Sequence, residues 1–254
     1  MKYEELFART GLLLGEEALQ AIASKRVILF GVGGVGSWCA EGLIRSGVMH
    51  LTMVDPDRVA TANCNRQLPA TTRTIGELKV EVLKERLSEI NPHATIRAIP
   101  ESYCTGSSAS FLLAQYDYII DAIDTLSSKI DLLTSAAKTG ATVFSSMGAA
   151  LKIDPQQIRV AEFWKVRGCK LAAAIRTKMR RGEKLGKPIL CVYSEEKRRN
   201  RQADTAVADE QSSFGKAQAN GSMVQVTAVF GFTLSGLVIQ DIVGQVEKEE
   251  TGQH

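Results

Sequence analysis

The stretch from Arg26 to Ser37, RVILFGVGGVGS, constrains the fold of this chain more than any other. An apolar run breaks into four glycines and continues into a helical pattern, which predicts a strand, a tight turn and a helix. In such a turn Gly31 permits the backbone conformation, and Gly36 lets the helix pack closely on the strand. Gly33 and Gly34 let the backbone approach an anion. Free N–H groups at the start of a helix bind anions, so the stretch predicts a phosphate-binding site.

An acidic residue closes the next predicted strand, over residues 51–55. Asp55 lies about 20 residues beyond the glycine turn, where a carboxylate can hold the ribose hydroxyls of a nucleotide. Asp57 follows it two residues later. A glycine turn followed by an acid is common in nicotinamide-dependent oxidoreductases, so these features alone favour such an enzyme.

Strands alternate with helices along the first part of the chain. Strands are predicted over 27–31, 51–55, 95–99, 117–121 and 141–146, and helices over 36–46, 77–90 and 126–138. This alternation predicts an α/β, Rossmann-like fold, with a mostly parallel, doubly wound sheet and helices on both faces. The C-terminal part is expected to add strands over 158–163 and 189–193 and a buried helix over 223–243.

The length of 254 residues fits one domain. We divide residues 1–254 into an N-terminal arm and helix (1–25), a nucleotide-binding core (26–150) and a C-terminal part (151–254). The last contains a basic segment (165–187) and a loop expected to be mobile (194–220). The apolar run over 223–243 is long enough for a membrane span, but its scattered polar residues favour a buried helix instead.

Other totals exclude some protein classes. The five cysteines are scattered, with no CxxC pair, which argues against a disulfide framework or a paired-cysteine zinc site. The N-terminal residues lack the layout of a signal peptide, so a cytoplasmic protein is expected. The net charge of +3 is too small by itself to indicate a polyanionic partner.

Cationic residues after the second strand change the expected ligand. Arg66 and Lys79 lie where the phosphates of a nucleotide would be, and Asn63 and Gln67 add neutral donors. Displacement at a triphosphate needs such cations, whereas a dinucleotide is largely satisfied by the helix end. Taken singly, Arg66 is better explained as a surface arginine and Lys79 as part of a solvated helix face; only together with the other residues do they favour a nucleotide site.

Two acids, Asp121 and Asp124, end the predicted strand over 117–121. One of their carboxylates could bind a Mg²⁺ ion that bridges phosphates. The alternative for Asp124 is a helix cap.

In this order, the glycine turn, Asp55 and Asp57, Asn63-x-x-Arg66-Gln67, Lys79 and Asp121-x-x-Asp124 resemble the adenylating enzymes related to ubiquitin activators. The resemblance implies that the glycine turn and Asp55 hold ATP. It implies that Arg66 and Lys79 bind the phosphates of ATP, and that Asp124 handles Mg²⁺ through them. Arg9 resembles an N-terminal arginine that such enzymes insert into the partner subunit's ATP site, which implies a homodimer. Its alternative is an arginine on a disordered arm.

Motifs in the second half, such as Ser145-Ser-Met-Gly-Ala149 and Cys191-Val-Tyr-Ser194, resemble one branch of that family, the tRNA threonylcarbamoyladenosine dehydratases. Tyr193 and Glu195 depart from that branch's pattern. The resemblance implies ATP-dependent cyclisation of the modified adenosine through an acyl-adenylate, with release of AMP and pyrophosphate. One alternative is adenylation of the C-terminal carboxylate of a sulfur-carrier protein. Another is a non-catalytic nucleotide-sensing or tRNA-binding module.

Basic residues support tRNA as a substrate independently of the resemblance. Nine of them lie in one segment that contains a single acid: Lys165, Arg167, Lys170, Arg176, Lys178, Arg180, Arg181, Lys184 and Lys187. Each phosphate that such a segment neutralises releases a counterion, so it could be a tRNA footprint. The alternative is a solvated helix face. Lys197, Arg198, Arg199 and Arg201 could extend the footprint.

A cysteine or a protein partner could also take part. Ubiquitin-type activators use a cysteine to accept an acyl group, and Cys191 is the candidate here. A buried strand residue is the favoured interpretation of Cys191. A sulfur-relay protein is a possible partner.

Overall fold

A computed structural model of the protein describes residues 2–179, 185–201 and 220–252. Within these ranges, strands from both halves of the chain form one sheet in the order β3-β2-β1-β4-β5-β7-β6. The strands are β1 (Arg26–Phe30), β2 (His50–Val54), β3 (Thr95–Ile99), β4 (Tyr118–Asp121), β5 (Thr142–Ser146), β6 (Ile158–Glu162) and β7 (Leu190–Ser194). Neighbours pair in parallel except β6, which runs antiparallel to β7 at one edge. The predicted α/β fold with a mostly parallel sheet is confirmed.

Helices cover both faces of the sheet. They are α1 (Tyr3–Leu6), α2 (Ala8–Leu14), α3 (Glu16–Ser24), α4 (Gly36–Arg45), α5 (Lys79–Ile90), α6 (Leu126–Ala136), α7 (Lys170–Met179) and α8 (Val224–Thr251). The N-terminal segment forms three short helices where the sequence predicted an arm and one helix. Gly15 separates α2 from α3 with a φ of +84°, a conformation that favours glycine.

Each strand of the parallel sheet buries both of its faces, which explains its nearly continuous apolar sequence. Leu29 faces the core that α3, α4, α5 and α8 cover. Its neighbours Ile28 and Phe30 face the second core, under α6 and α7. The two sides of the sheet are therefore packed independently.

Helix α8 is the one helix in the described ranges that is long and apolar enough to cross a membrane, with a mean hydropathy of 1.7 over its most apolar window. In the structure one side of it packs along α4, where Gly231 lies against backbone atoms of Val35 and Cys39. Asp241 of α8 accepts a hydrogen bond from the Tyr118 hydroxyl at 2.8 Å. These contacts make α8 a core helix of the fold, as the sequence predicted.

Two predicted features fall largely where the structure gives no description. Arg180, Arg181 and Lys184 of the basic segment lie outside the described residues, as does most of the loop predicted over 194–220.

Candidate active site

The glycine turn lies where the strand order of the sheet reverses. From β1 the chain continues to β2 and β3 on one side, then crosses to β4 on the other. In open α/β sheets ligands bind beyond the carboxyl ends of the strands at such a switch point. The fold therefore places the site at the ends of β1, β2 and β4.

Close packing against the loop after β4 fixes the turn. Gly31 has a φ of +85°, and a Cβ there would lie 2.8 Å from the carbonyl oxygen of Ala122. A Cβ on Gly36 would lie 1.8 Å from the carbonyl oxygen of Gly31. Both positions therefore require glycine. Gly33 and Gly34 have more room, and the nearest atoms to a Cβ there belong to Gln67 and Arg66 side chains.

Asp55 ties the turn to the end of β2. Its buried carboxylate accepts hydrogen bonds from the backbone N–H of Val32 at 2.7 Å and of Asp57 at 2.9 Å. Burial is the main cause that raises the pKa of Asp55, and the nearby Lys79 opposes it. Asp55 thus shapes the turn as well as facing the space beyond β2.

Two cations, Arg66 and Lys79, lie beside the turn. The Lys79 side chain is only 6% exposed and its Nζ lies 2.8 Å from the carboxylate of Asp57, which is half exposed. Arg66 lies over Gly34, and its Nη1 donates to the Ala62 carbonyl and the Asn65 Oδ1, both at 2.9 Å. Both cations are held by groups at the surface of the site.

The neutral residues of the same loop have different roles. Asn63 is buried, and its Oδ1 accepts a hydrogen bond from the Ala60 backbone N–H, so it shapes the loop. Gln67 is buried beside Gly33, and its Oε1 has no hydrogen-bond partner within the described part of the chain. Of the two, Gln67 is better placed to meet a ligand.

The two acids at the end of β4 are unlike each other. Asp121 is fully buried and pairs with Lys129 at 2.7 Å. Asp124 is exposed and makes no hydrogen bond or ion pair with any described residue. The N-cap of α6 is Thr125, and no side chain caps that helix. The helix-cap interpretation of Asp124 is therefore wrong, and its carboxylate is free at the edge of the site.

The donor set fits a magnesium ion held mainly by phosphates. No group of three or more His, Cys, Asp or Glu that could hold a metal occurs within the described ranges. Mg²⁺ in nucleotide sites is commonly bound by one or two carboxylates together with substrate phosphates and water. Asp124 supplies one such carboxylate, whereas Asp121 is engaged with Lys129.

Arg9 is not linked to this site within the chain. The Tyr3 hydroxyl donates to the carbonyl of Gly47, which follows the C-terminal end of α4. The glycine turn lies at the opposite, N-terminal end of α4, so α1 is anchored away from it. Arg9 is exposed, and its guanidinium has no partner among the residues that the structure describes. The same helix, α2, exposes Leu12 by 88% and Leu13 by 83%.

The basic segment does not form one patch. Helix α7 begins near the site edge, since Gly168 lies against Glu195, which follows the carboxyl end of β7. Arg167 and Lys170 are exposed there, and Lys178 is exposed about 12 Å further along the helix. Lys165 is exposed beside Phe163, whose N–H bonds to Ile189 just before β7, at the opposite edge of the sheet.

Two of the nine predicted contacts serve the protein itself. Arg176 donates to the Phe163 carbonyl at 3.1 Å and lies over the Phe163 ring. Lys187 donates to the carbonyls of Thr139 and Ala141, at the start of β5. Their cationic groups are therefore less available to an RNA phosphate than those of the four exposed residues, Lys165, Arg167, Lys170 and Lys178.

Cys191 is fully buried in β7, in register with Ser145 of β5. Burial raises the pKa of its thiol well above the usual value. A thiol that is neither accessible nor ionised cannot accept an acyl group, so the structure supports the buried-strand interpretation of Cys191.

Sequence reasoning missed three residues that organise the site. Trp38 Nε1 donates to the Arg66 carbonyl at 3.0 Å, and Asn65 donates to the Ser222 carbonyl just before α8. Lys129 pairs with Asp121. Trp38 and Asn65 belong to motifs that carry the family resemblance, but the sequence assigned them no role. Lys129 carried a signal of its own, because it occupies the first position of an apolar stripe on α6 that continues through Leu132, Leu133 and Ala136.

Comparisons with known proteins agree with this geometry. The ThiF family model matches residues 7–252. The tRNA threonylcarbamoyladenosine dehydratase of Bacillus subtilis is 35% identical over 244 residues, which cover 95% of this chain and 96% of the relative. The structure of tRNA N6-threonylcarbamoyladenosine dehydratase TcdA of Escherichia coli in complex with ATP is similar, with a TM-score of 0.83, 31% identity and 96% coverage of each chain. The same enzyme with AMP gives a TM-score of 0.85 at 31% identity and the same coverage.

Proposed function

The chain belongs to the ThiF family, and we propose that it is an ATP-dependent tRNA threonylcarbamoyladenosine dehydratase. The observation that carries the proposal is the free carboxylate of Asp124 at the same sheet edge as the glycine turn, Arg66 and Lys79. A hydride-transfer enzyme would not need two cations and a free acid around its phosphates. Similarity over 95% of the chain to a relative of that name supports the choice of substrate.

The proposed reaction removes water in two steps. The carboxylate of the threonylcarbamoyl group attacks the α-phosphate of ATP, which gives an acyl-adenylate and expels pyrophosphate. A nitrogen of the same side chain then attacks the acyl carbon, closes the ring and expels AMP, while its proton passes to solvent. Activation is needed because hydroxide is a poor leaving group from a carboxylate, whereas AMP leaves readily. The chemistry requires stabilised phosphate charge and fixed orientation more than a strong side-chain base.

The residues of the site have distinct proposed roles. Backbone N–H groups of the glycine turn bind the phosphates, and Asp55 and Asp57 face the ribose side. Lys79 and Arg66 exchange their present oxygen partners for phosphate oxygens and so stabilise the charge that develops during displacement. Mg²⁺, bound at Asp124 through the phosphates, would supply additional neutralisation of charge.

We also propose a homodimer in which Arg9 acts in the partner subunit's site. The support is that Arg9 has no partner within the described part of its own chain, and that its helix exposes two leucines by more than 80%. Exposed apolar side chains of this size are typical of an interface. A second copy would cover them and bring the arginine to a site across the interface.

For tRNA we propose a narrower footprint than the whole basic segment. Arg167 and Lys170 lie near the site edge, and the stretch from Lys197 to Arg201 follows β7 at that same edge. This edge is where a tRNA nucleotide must enter to reach ATP. Lys165 and Lys178 stay secondary candidates, and Arg176 and Lys187 are largely structural. The substrate also implies a cytoplasmic location, and a sulfur-relay partner stays a prediction.

The test is AMP release measured with ATP and tRNA that carries or lacks the threonylcarbamoyl group. We expect AMP and a cyclised nucleoside only with the modified tRNA, and loss of both in Asp124→Asn. A variant of the exposed Glu89, Glu89→Gln, is the control, since Glu89 lies at the end of α5 away from Lys79 and outside the proposed tRNA footprint. Absence of AMP and of cyclised product with modified tRNA refutes the proposal. Pyrophosphate exchange stimulated instead by a sulfur carrier ending in Gly-Gly would favour the alternative substrate.

A further inference from the structure

A buried ion pair lies directly beneath the loop that bears Asp124. Lys129 of α6 and Asp121 at the end of β4 are both 0% exposed, with 2.7 Å between Nζ and Oδ2. Ser145 of β5 donates to the same Oδ2 at 2.6 Å. The pair is therefore shielded from water and has its hydrogen bonds satisfied.

Both members of the pair also hold the backbone of the loop. Lys129 Nζ donates to the Ile123 carbonyl at 2.9 Å, and Asp121 Oδ1 accepts from the Ile123 N–H at 3.1 Å. One residue earlier, Ala122 contacts the glycine turn, because its carbonyl oxygen is the nearest atom to a Cβ on Gly31. The pair thus fixes both the N–H and the carbonyl of Ile123, the residue that precedes Asp124.

The energetics indicate that this pair contributes orientation more than stability. Removing two charges from water offsets most of their mutual attraction, and well-packed apolar residues often replace a buried pair without loss of stability. An apolar residue at position 129 would also complete the buried stripe of α6. What an apolar residue cannot do is hold the Ile123 carbonyl and the Asp121 carboxylate in fixed directions.

We propose that Lys129 and Asp121 are positioning residues that hold the Asp124 carboxylate beside the glycine turn, where it meets the metal-bound phosphates of ATP. The inference rests on the proposed function only in assigning Asp124 to those phosphates. Residues that orient a metal-binding or phosphate-binding group typically affect affinity without touching the ligand.

The test uses the double variant Asp121→Asn/Lys129→Met in the full chain and measures ATP affinity by calorimetry, with Mg²⁺ and with EDTA. The double variant has no uncompensated buried charge, so we expect it to keep a melting temperature close to that of the wild type. We expect its Kd for ATP with Mg²⁺ to rise by about 10-fold or more, because changes in orienting partners typically cost about that much. The Kd with EDTA should change much less.

Two further variants separate positioning from folding. Lys129→Arg keeps a cation beside Asp121, so its Kd for ATP with Mg²⁺ should be much closer to the wild-type value than that of the double variant. Ser145→Ala removes one bond to Asp121 without changing charge, so it carries the test if the double variant does not fold, and it should raise the Kd with Mg²⁺ in the same direction. Glu41→Gln, which breaks the paired carboxylate between α4 and α5, is the control and should leave the Kd unchanged.

Wild-type affinity for Mg²⁺–ATP in the double variant, or in a folded Ser145→Ala, would overturn the inference. The inference would also be overturned if the wild-type protein had the same Kd for ATP with Mg²⁺ as with EDTA. Because this assay contains no tRNA, it can support the positioning role even if the protein proves inactive on modified tRNA. Failure of the proposed function and failure of this inference are therefore distinguishable.

Discussion

Alanine at Gly33 and at Gly36 should have opposite effects on the fold and on ATP binding, although the two glycines lie in one turn. A Cβ on Gly36 would lie 1.8 Å from the carbonyl oxygen of Gly31, a residue whose own N–H is held by the Val54 carbonyl of β2. A Cβ on Gly33 meets nothing nearer than Gln67 Nε2, at 3.7 Å, which is an ordinary contact. Gly36 is thus required for packing, whereas Gly33 leaves space for a ligand.

The magnitudes follow from these distances. Overpacking commonly costs about 1–3 kcal/mol, and a contact with rigid backbone belongs at or above the top of that range. For a chain of this size, about 3 kcal/mol lowers Tm by roughly 6–12 °C. Gly33→Ala should leave Tm unchanged or slightly higher, since alanine restricts the unfolded chain. Its methyl group would block a charge-assisted hydrogen bond worth about 1.5–3 kcal/mol, which corresponds to roughly 10- to 150-fold weaker ATP binding.

Thermal melts and calorimetric titration with ATP measure both effects on the same preparations. The expected result is a stable Gly33→Ala with weak ATP binding and an unstable or unfolded Gly36→Ala. The reasoning is refuted if Gly33→Ala binds ATP as the wild type does, because phosphate then does not approach that backbone. It is equally refuted if Gly36→Ala melts at the wild-type temperature, because the helix then does not need to pack so closely on the turn.

Two further predictions concern the frame around the site. Gly231→Ala in α8 places a Cβ 2.5 Å from the carbonyl oxygen of Val35, the residue before α4, and 2.8 Å from the Cys39 backbone nitrogen within it, so it should lower Tm. Gly236→Ala meets nothing within 4 Å and should raise Tm by about 2–4 °C through helix propensity. Equal Tm values would contradict the α4–α8 packing. Burial alone would raise the pKa of Glu41, but hydrogen bonds from Arg86 and Arg45 outweigh it and lower that pKa. The stability that Glu41 contributes is therefore present above its unfolded pKa and is lost as pH falls through the lower folded pKa. Urea unfolding between about pH 7 and pH 3 should show a smaller loss of unfolding free energy in Glu41→Gln than in the wild type. An equal loss in both would contradict the assignment.

The sheet and the nucleotide turn were predictable because each depends on local sequence. Strands buried on both faces are short apolar runs, and the helix after the turn has its own periodicity, so β1 (Arg26–Phe30) and α4 (Gly36–Arg45) lie within a residue of the prediction. The acids and cations follow predicted strands, and the parallel sheet brings the ends of those strands to one edge. Spacing along the chain was therefore enough to place Asp55, Lys79 and Asp124 at one edge of the sheet.

Residues whose role depends on packing between distant elements were not predictable in this way. In sequence, Asp121 and Asp124 are two acids of one motif, but the structure buries the first and exposes the second. The difference arises because Asp121 lies within β4 beneath α6, whereas Asp124 lies beyond the strand. Likewise Arg176 and Lys187 resemble other basic residues of their segment until Phe163 and the start of β5 are placed beside them.

Two ion pairs of nearly equal length show how the protein separates binding from positioning. Lys79 and Asp57 are 2.8 Å apart with the carboxylate 51% exposed, whereas Lys129 and Asp121 are 2.7 Å apart with neither exposed. An exposed carboxylate is a weak partner in water, so Lys79 can exchange Asp57 for a phosphate at little cost. Breaking the buried pair would leave an uncompensated charge, which is strongly unfavourable, so Lys129 stays in place through any such exchange. The proposed site would therefore combine a cation that can move to the ligand, Lys79, with a second cation, Lys129, that fixes the loop on which Asp124 lies.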